Sequence, residues 1–149
     1  AEALYEKNGQ ITDEQLDLTI NDLRNRANMP RLTNAFVATN GLNMLEEIRR
    51  ERTVELAFEG YRRDDLRRWG TAETVLPLAI RGVKFVGTEY QQKFPELVIG
   101  QDIQVDSEGF IIAQPASARK FQTPKHWLSP IPLQQVQLSK GTLEQNPGW

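Results

Sequence analysis

Glu55 and Glu59 stand four residues apart, with Arg52 just ahead of them. Two carboxyl groups at such a spacing could do acid–base chemistry, and glycoside hydrolysis is the reaction that most often uses a carboxyl pair. That reaction needs the two groups to face each other across a substrate with one of them protonated. On a helix, at about 100° per residue, the pair instead shares one face with Arg52 beside it. A neighbouring guanidinium keeps carboxylates ionised and so removes the proton donor. The structural reading, a charge network inside a scaffold, outweighs the catalytic one. A carboxylate-bridged metal pair would want Glu-x-x-His on two helices, but the single histidine, His126, lies outside any such pattern. No nucleophile elbow or Gly-rich phosphate loop is present, and the absence of cysteine excludes disulfides and thiolate metal sites. Aromatic rings are the remaining chemical resource, because their faces complement sugar rings. Trp69 and Trp149 could stack in this way, though their settings favour packing. Phe36, Phe85, Tyr90 and Phe94, with Phe121 after them, lie in stretches that read as irregular, where binding contacts commonly sit. Tyr90 is the most attractive, since Glu89, Gln91 and Gln92 can hydrogen-bond hydroxyl groups.

The element that must position the carboxylates is Arg49 to Gly70, RRERTVELAFEGYRRDDLRRWG, read as part of one long helix running from about Asn43 to Trp69. Leu45, Ile48, Leu56 and Leu66 occupy one sector of that helix, and Val54, Ala57, Phe58 and Tyr61 the opposite one. A helix apolar on two sides is sandwiched by protein. Charges on it must then be paired, so Arg49, Arg52, Glu55, Glu59, Arg62, Asp65 and Arg68 are expected to form a structural ion-pair network. Between Glu46 and Arg68, seven arginines face seven acids. The helix is locally neutral, and the whole chain carries a net charge of −2. That balance argues against nucleic acid as a partner. Gly60 inside the helix costs about 1 kcal/mol relative to Ala and marks a close crossing or a bend.

The other elements are shorter. Ala1 to Lys7 reads as a helix stopped by Asn8-Gly9. Thr12 with Gln15 makes a capping box for a helix ended by Pro30. Arg31 to Gly41 reads as a loop, Thr71 to Ala79 as a helix weakened by Pro77, and Val83 to Pro95 as a loop. Ile103 to Val105 and Phe110 to Ile112 flank Asp106-Ser107-Glu108-Gly109 as a hairpin. Prolines 115, 124, 130 and 132 forbid long elements beyond it. Leu133 to Leu138 is a short helix, and Asn146-Pro147-Gly148 a turn.

The long segment resembles the helix signature of the SusD/RagB family through Ile48, Arg49, Glu51, Arg52, Glu55-Leu56-Ala57-Phe58-Glu59-Gly60, Arg62, Asp65-Leu66 and Arg68-Trp69-Gly70. Two further segments carry the same resemblance: Trp127-Leu128-Ser129-Pro130-Ile131-Pro132 and the ending Gln145-Asn146-Pro147-Gly148-Trp149. Leu23 to Pro30 is similar to the family's Arg-x-Arg-Ala-Gly helix end, with Asn28 where glycine is usual. The stretch from Thr71 to Lys125 matches loosely. The resemblance implies a mainly α-helical, SusD-like fold of tetratricopeptide-type helix pairs, with a small β-hairpin and a proline-rich C-terminal segment. It implies non-catalytic capture of oligosaccharides at the outer membrane, delivery to a SusC-type TonB-dependent transporter, and no cofactor. Residues 1–149 would then be the C-terminal region of a longer lipoprotein, whose lipid anchor lies upstream of the helix that opens the chain. The alternatives are a glycoside hydrolase using Glu55 or Glu59 and a helical adaptor that binds protein.

Overall fold

The computed structural model describes residues 1–149 and is mainly helical, with one two-stranded antiparallel sheet. The chain divides into two compact units, Ala1–Arg62 and Arg63–Trp149. No helix is long and apolar enough to cross a membrane.

The first unit holds five helices: α1 (Glu2–Asn8), α2 (Asp13–Asp17), α3 (Ile20–Arg26), α4 (Asn34–Thr39) and α5 (Met44–Glu55). Helix α1 ends where Gly9 takes a left-handed conformation. Helix α2 opens with the expected capping box, in which the Thr12 and Gln15 side chains exchange bonds with each other's backbone. Ile11, Leu16, Ile20, Leu32, Val37, Met44 and Ile48 form the core, with Leu4 and Tyr5 of α1 packed on it. Each such aliphatic side chain contributes about 1.5–3 kcal/mol on burial. Asn21 fastens the turn before α4. Its side-chain nitrogen donates to the Leu32 carbonyl at 2.9 Å, and its oxygen accepts from the Leu32 N–H at 2.7 Å.

Three expectations need correction in this unit. The helix from Thr12 to Pro30 is broken at Thr19, whose hydroxyl donates to the Gln15 carbonyl at 2.7 Å and so competes with the helical ladder. The segment from Arg31 to Gly41 is not all loop, because Thr33 caps α4 by accepting from the Phe36 N–H. The long helix from Asn43 to Trp69 is also two helices. Helix α5 stops at Glu55 and α6 (Arg62–Arg68) begins after an irregular stretch in which Phe58 (φ 66°) and Gly60 (φ 85°) are both left-handed. Two such residues cannot sit inside a right-handed helix. The second apolar sector is consequently not sandwiched: Val54 is 66% exposed and Phe58 is fully exposed at 109%.

The second unit contains most of α6, then α7 (Ala72–Val75), β1 (Ile80–Lys84), α8 (Glu89–Lys93), β2 (Phe110–Gln114) and α9 (Leu133–Leu138). The segment from Val83 to Pro95 thus holds the end of a strand and a short helix rather than a loop. The turn Asp106 to Gly109 forms as expected, with the Asp106 carboxylate accepting from the Glu108 and Phe110 N–H groups. Its strand partner differs from expectation. Val105 makes one isolated bridge to Ile111, while β2 pairs along its length with β1. The β1 strand carries Arg81, whose guanidinium lies 2.6 Å from Asp106 and 3.1 Å from Glu108, tying the strand to the turn.

Candidate functional site

The two end motifs of the chain are halves of one clamp. The four prolines between residues 115 and 132 remove backbone donors and interrupt regular ladders, so side chains supply bonds there. The Gln145 side chain accepts from the Ile131 N–H and donates to the Ile131 carbonyl, both at 2.8 Å. Asn146 donates to the Ser129 carbonyl at 2.6 Å. The Trp149 indole N–H reaches the carbonyls of Lys125 at 2.8 Å and Leu128 at 3.1 Å. Gly148 (φ 85°) makes this approach possible, because a Cβ there would stand 2.9 Å from Lys125 Cβ and 3.1 Å from its Cα.

Against this clamp lies a cavity of about 390 Å³. Its aromatic wall is Phe121, His126 and Trp149. Phe121 meets His126 edge-on at 5.6 Å and Trp127 at 5.0 Å, which locks the ring in place. His126 Nδ1 accepts from the Gln122 N–H at 3.0 Å, so the neutral ring carries its proton on Nε2 as a donor. Lys125 Nζ sits 4.4 Å from the Trp149 ring centroid, and the His126 ring lies 6.2 Å from it at a tilt of 47°. Arg63, Arg119, Lys120 and Gln114 supply the polar lining. Arg119 is held from below: its Nε donates to the Leu76 carbonyl at 2.9 Å and its Nη1 to Gln114 Oε1 at 3.0 Å. Rigid ring faces with donors around them suit the binding of a hydroxylated ring. No Asp or Glu side chain lines the cavity, so the lining has no side-chain carboxyl pair to cleave a bond.

The residues singled out in sequence fall elsewhere. Phe36 is exposed on α4, Tyr90 on α8, and Phe94 at the end of α8. Phe85 is only 2% exposed and belongs to the interior, where it presents no ring to a ligand. Phe121 and Trp149 are the two aromatic candidates that reach the cavity. Its cations were missed, although the run Arg119-Lys120-Phe121 between prolines was a readable signal.

The charged residues meet partners on several elements. Glu55 accepts from Arg26 of α3 at 2.8 Å, Arg52 lies 5.8 Å from the Tyr61 ring, and Glu59 is exposed in the irregular stretch. The break between them takes Glu55 and Glu59 off a common helical face. Arg49 faces Glu2 and Glu6 of α1, and Arg62 donates to Thr53 at 2.9 Å. Arg68 pairs with Asp65 at 2.9 Å. A pair that sequence reading passed over is well buried: Arg24 meets Glu51 at 2.7 Å, with side chains 9% and 14% exposed. No group of three or more His, Asp or Glu residues is placed to hold a metal ion.

A family model described as the SusD family matches residues 1–149, and the chain belongs to that family. Members of the family bind glycans and are in general non-catalytic binding proteins. No curated protein and no solved structure matches the chain.

Proposed function

We propose that this SusD-family chain takes part in capturing oligosaccharides at the cell surface, without cleaving them, for delivery to a SusC-type TonB-dependent transporter. The parent protein would be held at the outer membrane by a lipid anchor, as is general in the family. The observation that carries the reading is the cavity walled by Phe121 and Trp149, lined with donors and without an Asp or Glu side chain. Exposed Tyr90, Phe94 and Phe36 are offered as further ring contacts for a longer glycan. Phe85, being interior, is left out.

Calorimetric titration of the chain with a panel of oligosaccharides tests this. Phe121→Ala should weaken the best ligand about tenfold, the loss of one stacking contact near 1.4 kcal/mol, while circular dichroism stays unchanged. Cleavage products appearing in the incubation, or an affinity indifferent to Phe121→Ala, would count against it.

A further inference from the structure

Arg63, Arg119 and Lys120 bring three cations to the cavity, and no Asp or Glu side chain lines it beside them. Several other arginines meet carboxylates: Arg24 with Glu51, Arg26 with Glu55, Arg81 with Asp106 and Glu108. Arg119 takes neutral acceptors instead, the Leu76 carbonyl and Gln114 Oε1. These fix the guanidinium without neutralising it and leave Nη2 to donate to a ligand. A neutral sugar hydroxyl gains only an ordinary hydrogen bond from such a group. A carboxylate or sulfate gains a charge-assisted one, roughly twice as strong. The cations are also interleaved with ring faces at Phe121 and Trp149, so charge and sugar ring can be read together.

We infer that the saccharide taken by this cavity is anionic, bearing a carboxylate or sulfate on its ring, with Arg119 as the fixed oxyanion contact and Arg63 and Lys120 as mobile ones. The inference rests on the saccharide-binding reading above.

The test titrates the full chain with oligogalacturonate, its methyl ester, a chondroitin sulfate disaccharide and a maltooligosaccharide, each at low and raised salt. At least one anionic sugar binds about tenfold more tightly than the neutral ones and weakens as salt rises. The anion preferred tells carboxylate from sulfate. Arg63→Ala and Lys120→Ala, both at exposed positions, each lower the preference for the anionic sugar over the neutral ones about fivefold, the size of one exposed charge pair. Equal binding of acid and ester with no preference for sulfate, or a preference untouched by both substitutions, overturns the charge inference and leaves glycan capture standing. Binding of no saccharide at all overturns both.

Discussion

Arginine does opposite work in the first unit and at the cavity of the second. In the first, Arg24, Arg26, Arg31, Arg49 and Arg50 each meet a carboxylate, from Glu51, Glu55, Asp17, the Glu2 and Glu6 pair, and Glu47. At the cavity of the second, Arg119 is held by neutral oxygens, and no Asp or Glu side chain lines the wall beside Arg63 and Lys120. A paired arginine has its charge satisfied and serves the scaffold. One braced by neutral groups keeps its charge for something that arrives later. Composition cannot separate the two cases, since both contribute equally to a net charge of −2.

The sharpest way to break the contrast is to unpair a scaffold arginine. Glu51→Ala leaves Arg24 buried without its anion, and should cost about 3 kcal/mol in chemical denaturation. Arg63→Ala, at an exposed position, should stay within about 0.5 kcal/mol of the parent. Similar losses from the two variants would erase the distinction. Next in size is the clamp. Gln145→Ala removes both bonds to Ile131 and should lower stability by about 1–2 kcal/mol. It should also weaken saccharide binding, because Trp149 loses its mooring; a stability loss with binding intact would detach the clamp from the cavity.

The smallest effect separates scaffold carboxylates from the cavity by pH. Bonds from Arg31 and Asn21 hold the Asp17 carboxyl below its ordinary 3.8. For Asp106 partial burial pushes upward, but backbone bonds from Phe110 and Glu108 and the Arg81 charge outweigh it, so it too lies below 3.8. Both contributions are complete above pH 3.8 and are lost as pH falls through the lower folded values. Acid titration followed by NMR should show the Phe110 amide moving in that range. A cavity lined by no Asp or Glu side chain should have no matching side-chain transition of its own.

Much of the helical fold was legible in the residues. The Thr12 capping box, the Gly9 stop and the helix at Leu133–Leu138 follow local chemistry that a short window contains. Gly60 pointed to a bend, but the full break before α6 was not legible, because Phe58 in a left-handed conformation leaves no periodic trace. The partner of β2 escaped for a different reason. The turn at Asp106 to Gly109 announces itself, but pairing with β1 is a choice between distant segments that local pattern does not make. At the cavity, the aromatic wall could be glimpsed through Phe121 and Trp149. The role of Arg119 could not, since it depends on which oxygen stands behind the guanidinium.

Gly148 narrows what mutation can do here. Every coding change at that position adds a side chain, and every side chain meets the same stretch of Lys125 main chain. At Gly87 or Gly141 the added atom enters open space. Diverging copies of the gene should therefore find position 148 the least forgiving of these three glycines. Variation that retunes the ligand would have to enter through Arg63, Lys120 and their neighbours.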